Sequence, residues 1–254
     1  MGQDLYESDA LLAQYLLLHY GEPRTVLPYA FGPVDALDYP VRCVTELLDS
    51  GRLQGNPEAL DLGCAVGRSS CELARTCYRV VGIDLSRRFI GIARKLCEDG
   101  VVRWRCPVEG DFSVEIDFRL PADVMPERIT FEVGDACNLR PDLGAFDVVL
   151  NANLVDRLPR PDLFLAALPR LVKPGGQLLL ASPFTWLEEY TAREHWIGGH
   201  ADVTDAERSW DVLCQRLSAD FELDFETDLP FLIREHARKF QWSVAKAGRW
   251  LRRS

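Results

Sequence analysis

The sequence has no apolar run approaching the roughly 20 residues that a membrane helix needs. It has no C-x-x-C pair and no excess of positive charge. The first absence leaves no candidate spanning helix. The second removes the usual zinc spacing. The eight cysteines, at 43, 64, 71, 77, 97, 106, 137 and 214, fall mostly within apolar patterns, as free buried thiols of a reducing compartment do. His19, His195 and His200 have no ligand spacing either, so no metal is expected. The net charge of −10 argues against nucleic acid as the default partner. A locally basic end (Arg238, Lys239, Lys246, Arg249, Arg252, Arg253) reads as the solvated end of a last strand. The stretch MGQDLYESDALL carries acids where a secretion signal has a basic region, so a cytoplasmic protein is expected. There is no internal repeat and no low-complexity tract.

What is present suits one sizeable α/β domain: 254 residues, 47% hydrophobic and 27% charged. A helix is expected over 8 to 20, capped by Ser8 or Asp9 and ended by Gly21. A second starts near Pro40 and ends before Gly51. Near-continuous apolar runs at 59 to 62, 80 to 83, 130 to 133, 146 to 150 and 177 to 182 suit strands buried on both faces of a parallel sheet. The stretch DFSVEIDFRL (111 to 120) alternates strictly. With 101 to 106 it reads as an inserted hairpin. Helices are expected at 86 to 98, 162 to 171 and 205 to 218, and a turn at Lys173-Pro174-Gly175-Gly176. Two alternating strands, 221 to 226 and 240 to 244, read as an antiparallel pair.

The chain is organised around residues 58 to 84, EALDLGCAVGRSSCELARTCYRVVGID: strand, tight turn, helix, strand, carboxylate. Such a turn puts bare backbone N–H groups at a helix start, and small residues let a ligand approach. A carboxylate ending the second strand can accept hydrogen bonds from a ribose diol. The dinucleotide fingerprint G-x-G-x-x-G is not supplied. The turn Asp61-Leu62-Gly63-Cys64-Ala65-Val66-Gly67 instead resembles the D-x-G-x-G-x-G turn of class I S-adenosylmethionine (AdoMet) methyltransferases, with Ala65 at the middle glycine. Four further features follow in that superfamily's order: Asp84, Gly134-Asp135-Ala136, FDVVLNANLVDRL and L-x-K-P-G-G-x-L-L-L.

The likeness extends further. YESDALLAQYLLLHYG (6–21), YPVRCV (39–44), ALDLGCAVGRSSCELA (59–74), NANLVDRL (151–158), SPFTWLEEYT (182–191) and PFLIREHARKFQWSVA (230–245) resemble the 4-mercaptohistidine N-methyltransferase family of ovothiol biosynthesis. That resemblance implies a Rossmann-like class I fold, with a seven-stranded, mostly parallel sheet and an antiparallel last strand. It also implies AdoMet as donor, S-adenosylhomocysteine (SAH) as product, and a thiolated histidine methylated on an imidazole nitrogen. A thiohistidine-forming sulfoxide synthase is the implied functional neighbour; no nucleic acid, membrane or metal is expected. The expected organisation is a helical cap (1 to 56), an AdoMet-binding core (57 to 184, hairpin insertion about 101 to 128), and a lid loop, helix and final strands (185 to 254). Two alternatives stand beside it: a class I methyltransferase for another small acceptor, and a non-catalytic AdoMet-binding regulator.

On this reading the cofactor residues are Arg42, Asp61, Gly63, Cys64, Ala65, Gly67, Asp84, Leu85, Asp135, Ala136 and Asn151. Arg42 is a candidate for the methionine carboxylate, with a surface ion pair as its alternative. Asp135 can accept from the adenine amine. Asn153 and Asp156, after strand four, are candidates for touching the imidazole or the substrate ammonium; capping of the next turn is the alternative for Asn153. Tyr6, Trp186 and Tyr190 are candidate aromatic walls, with core packing as the alternative. Arg234 is the candidate cation for a substrate carboxylate, and residues 183 to 203 are an expected lid.

Overall fold

The computed structural model describes residues 8–200 and 207–254. Its frame is a seven-stranded sheet in the order β5-β2-β1-β6-β7-β9-β8, built from β1 (Glu58–Leu62), β2 (Arg79–Asp84), β5 (Ile129–Val133), β6 (Phe146–Ala152), β7 (Val172–Ser182), β8 (Phe221–His236) and β9 (Lys239–Arg252). The first five strands run parallel, and β9 runs antiparallel to both neighbours. This is the expected class I topology. A separate hairpin, β3 (Val101–Glu109) with β4 (Phe112–Arg119), is the inserted ribbon.

Helices cover both faces, because every central strand is apolar on both sides. On one face, Leu60, Leu62, Val149, Leu178 and Leu180 pack against Phe164, Leu165 and Leu168 of α5 (Pro161–Leu171) and Val212 and Leu213 of α6 (Ser209–Leu217). On the other, Ala59, Val148, Leu150 and Leu179 meet Tyr39, Cys43 and Val44 of α2 (Tyr39–Thr45) and Leu73 of α3 (Arg68–Leu73).

The first helix, α1 (Asp9–Tyr20), starts where the Ser8 hydroxyl accepts from the Leu11 N–H at 3.2 Å, and Gly21 follows its end. Its Leu12, Leu16 and Leu17 join Phe89 of α4 (Arg87–Asp99) and Val102, Cys106 and Phe118 of the hairpin. The inserted ribbon therefore has a structural task. It supplies the apolar face that holds α1 over the carboxyl end of the sheet.

Several boundaries differ from expectation. The 173 to 176 turn is taken into β7, with a register shift between the Phe146–Val172 and Val148–Gln177 pairs. The helix at Pro40 stops at Thr45, and α3, expected over Arg68 to Cys77, stops at Leu73. The last two strands are far longer than their alternating segments, because they pair with each other almost end to end. The N-terminal part of the helix expected at 205 to 218 lies partly outside the described residues.

Candidate active site

At the carboxyl end of β1, β2, β5 and β6 lies a cavity of about 750 Å³. Ligands bind at this end in open α/β sheets because the strand ends and following turns leave backbone groups and gaps there. The floor is the β1 turn, with Asp61, Gly63, Cys64 and Ala65 all lining the cavity. Gly63 sits at φ +74°, where a Cβ would press on Leu154 at 3.2 Å. Ala65 is held at φ +47°, a region that L side chains rarely adopt, beside the apolar residues of α1.

Asp84 ends β2 and lines the cavity. Its Oδ2 accepts the Ala65 N–H at 2.9 Å, and its Oδ1 accepts the Ser86 N–H at 2.8 Å. One carboxylate thus ties the glycine turn to the start of α4. Next to it, Leu85 is 49% exposed and lines the same space, an apolar surface for a flat ring. Val133, Gly134, Asp135 and Ala136 complete this wall, with the Asp135 carboxylate receiving the Cys137 N–H at 2.8 Å.

Asp61 is buried and accepts from the Ser70 hydroxyl at 2.6 Å. Burial, with Asp84 nearby, pushes its pKa up to about 7. His19 of α1 also faces the cavity. Its Nδ1 receives the Arg68 N–H at 3.3 Å, and burial beside the Arg68 cation pushes its pKa down to about 3. The ring is therefore neutral at ordinary pH, with its proton on Nε2.

The opposite side of the cavity is built from the end of β6 and the loop after β7. The Tyr39 hydroxyl donates to Asn153 Oδ1 at 2.7 Å, while the Asn153 N–H reaches the Ala181 carbonyl at 2.8 Å. Asn153 stands at φ +53°, which asparagine tolerates better than most residues. Arg157, Leu158, Pro159, Glu189 and Tyr190 close the mouth, with the Arg157 guanidinium 5.1 Å from the Tyr190 ring centre. Tyr15 lines the cavity from α1; burial raises its pKa, so its phenol stays protonated.

The structure thus brings Asp61, Gly63, Cys64, Ala65, Asp84, Leu85, Asp135, Ala136, Asn153 and Tyr190 to one cavity. Other expected residues lie elsewhere. Arg42 spends its guanidinium on the Asp35 and Pro230 carbonyls and on Glu46, away from the cavity. Gly67, at φ +88°, is required because a Cβ would meet the Phe131 ring at 2.4 Å, not for ligand approach. Asn151 is buried in the sheet, and its amide has no partner among the described residues.

The substrate candidates also need correction. Asp156 is buried and turned inward, accepting from Ser182 Oγ at 3.1 Å, the Thr185 N–H at 2.9 Å and Arg157 at 3.0 Å. It anchors the loop after β7 and does not line the cavity. Trp186 donates to Ser209 Oγ at 2.9 Å and stacks on Trp196, so it packs over α6. Arg234 is buried and donates to the Thr25 carbonyl, tying β8 to the segment after α1. Tyr6 lies outside the described residues, as do positions 201 to 203 of the expected lid. Tyr15, His19, Tyr39, Arg157 and Glu189 also line the site; no local motif marks them as ligands, and the first three belong to the N-terminal helical cap.

The cavity fits AdoMet. Its length runs across β5, β2, β1 and β6, past an apolar ring surface, a strand-end carboxylate and a glycine floor, in the order adenine, ribose and methionine require. Among the described residues no cluster of metal-binding side chains occurs. Fold and cavity together define the class: this is the class I AdoMet-dependent methyltransferase fold. Residues 60–180 match the family model described as a methyltransferase domain.

Among curated proteins, the chain is similar to a ubiquinone biosynthesis O-methyltransferase of Nitrosococcus oceani, 29% identical over 124 residues, covering 48% of this chain and 42% of that protein. It is also similar to a 2-methyl-6-phytyl-1,4-hydroquinone methyltransferase of Synechocystis sp., 28% identical over 184 residues, covering 70% and 48%. The chain thus spans less than half the length of these relatives. Among solved structures, the N-methyltransferase NodS of Bradyrhizobium japonicum, in complex with SAH, superposes with a TM-score of 0.52 at 15% identity, covering 96% of this chain and 99% of that one.

Proposed function

We propose that this protein transfers a methyl group from AdoMet to a small molecule. The observation that carries this is the cavity itself, in which Asp84 both shapes the glycine turn and faces the position of a ribose. The matched domain and the methyltransferase relatives support the same reading.

AdoMet supplies, when bound, an electrophilic methyl on a sulfonium centre. The chain's own part is to position and to exclude water. Asp84 and the β1 turn hold the donor. Tyr39 holds Asn153 through its side-chain oxygen, and Asn153 lines the cavity with its amide nitrogen outside that bond. Tyr15 and Tyr190 flank that half as aromatic walls.

For the acceptor we infer a thiolated histidine, methylated on an imidazole nitrogen. Support comes from the sequence resemblance over most of the chain, and from chemistry: a neutral imidazole nitrogen attacks without a base. The curated relatives are quinone methyltransferases by name, and they favour the broader reading, a small acceptor of another kind. The test is mass spectrometry of the protein incubated with AdoMet and a panel of 4-mercaptohistidine, histidine and a quinol. Methylated 4-mercaptohistidine is expected. Turnover of the quinol alone would replace that substrate, and SAH binding with no turnover on any acceptor would point to a regulator.

A further inference from the structure

We propose that Arg157 is a preformed carboxylate receptor in the acceptor half of the cavity, so that the molecule methylated here bears a carboxylate. The proposal rests on the methyltransferase reading above and narrows its substrate class.

The guanidinium is held from one corner only. Its Nη1 donates to the Asp156 carboxylate at 3.0 Å, the Asp156 carbonyl at 3.0 Å and the Thr185 carbonyl at 2.6 Å. Its plane lies by the Tyr190 ring. Nε and Nη2 bond no described residue, and the side chain, 24% exposed, lines the cavity. This leaves a two-donor edge whose spacing matches the two oxygens of a carboxylate. The anchor is itself locked, since Asp156 is pinned by Ser182 and Thr185. Little conformational freedom remains to be lost when an anion arrives.

Position separates this edge from the donor's methionine. Arg157 follows β6 beyond Asn153, at the mouth with Tyr190. The methionine end of the donor site lies over the β1 turn, near Gly63, Ala65 and Ser69. Arg87, another arginine lining the cavity, is exposed at the start of α4, beyond Asp84. Glu189 stands in the same mouth as Arg157, so an amino acid would meet opposite charges there. A quinol without a carboxylate would cover the Arg157 edge without matching it, displacing its water for no bond in return.

The test is calorimetry on SAH-saturated protein with two matched pairs: 4-mercaptohistidine against its carboxamide, and 4-hydroxybenzoate against 4-hydroxybenzamide. The expected result is a preference of about tenfold for the acid in at least one pair, abolished in Arg157→Gln while SAH affinity holds. Should that variant fail to fold with Asp156 left unpaired, Asp156→Asn/Arg157→Gln removes both charges and takes its place. No preference in either pair, or a preference surviving in the variant, overturns the proposal. So does a variant that loses SAH but retains 5′-methylthioadenosine, because the carboxylate read by Arg157 would then be the cofactor's own. Wild-type protein that binds no SAH would instead overturn the methyltransferase reading.

Discussion

The Tyr39 hydroxyl and the Asn153 side-chain oxygen lie 2.7 Å apart, joining the first turn of α2 to the end of β6 across 114 residues of sequence. Burial raises the Tyr39 pKa, so the phenol remains a donor. Tyr39→Phe removes only that donor. We expect kcat/KM to fall about tenfold, equivalent to roughly 1.4 kcal/mol of transition-state stabilisation, with SAH affinity unchanged. Asn153→Gly, which suits the positive φ while removing the amide, should cost about 10- to 100-fold. Steady-state kinetics and calorimetry check both. An unaltered rate in Asn153→Gly would remove that amide from the acceptor half.

Asp84→Asn should weaken SAH by about 1.5–3 kcal/mol, the range for a charged hydrogen-bond partner. Its amide would also set a donor against either the Ala65 or the Ser86 N–H. Calorimetry on the folded variant gives the answer, and unchanged affinity would take the ribose away from β2.

Asp61→Asn should behave differently at low and high pH. The folded pKa of about 7 stands above the unfolded value of 3.8, so the native state binds the extra proton. The group's favourable contribution is complete below about pH 4 and is lost as pH rises through 7, at up to roughly 1.4 kcal/mol per pH unit. Asparagine stays neutral throughout. We expect thermal unfolding to show the variant gaining on wild type from pH 5 to pH 8. A variant that loses ground over that interval would mean the carboxylate is stabilised as an anion in the free protein.

Asn151→Leu should raise stability by about 1–3 kcal/mol, because the buried amide finds no partner among the described residues. Urea unfolding measures this. If SAH affinity drops alongside, the amide reaches the ligand in the bound form.

The floor of the site was legible in the sequence because its chemistry is local. A glycine turn between two apolar runs, followed by an acid, has little choice of geometry, and Gly63, Ala65 and Asp84 lie where that pattern puts them. The inserted hairpin was legible for a similar reason, since strict alternation fixes a half-buried strand. Long charged side chains were not legible. Arg42 and Arg234 stand on the expected elements, yet each is taken by a carbonyl about 200 residues away, of Pro230 and Thr25. Asp156 likewise follows β6 as expected but serves Ser182 and Thr185. Arg157, its immediate neighbour, has the cavity-facing role. One step along a short turn reverses which side chain points inward, and periodicity carries no information there.

The placement of β9 bears on how the chain is made. It lies between β7 and β8 and covers Gln177–Ser182 of β7, yet it comes after every other strand in the sequence. Until residues near 252 have left the ribosome, the edge of β7 at Leu178, Leu179, Leu180 and Ala181 has no partner to bond. Those four residues are fully buried in the finished sheet. A nascent chain therefore carries an unpaired, wholly apolar strand edge for the time taken to translate about 70 residues, the kind of surface on which unfinished chains associate. Protein yield should accordingly depend on translation speed across this stretch and on the chaperones that shield it.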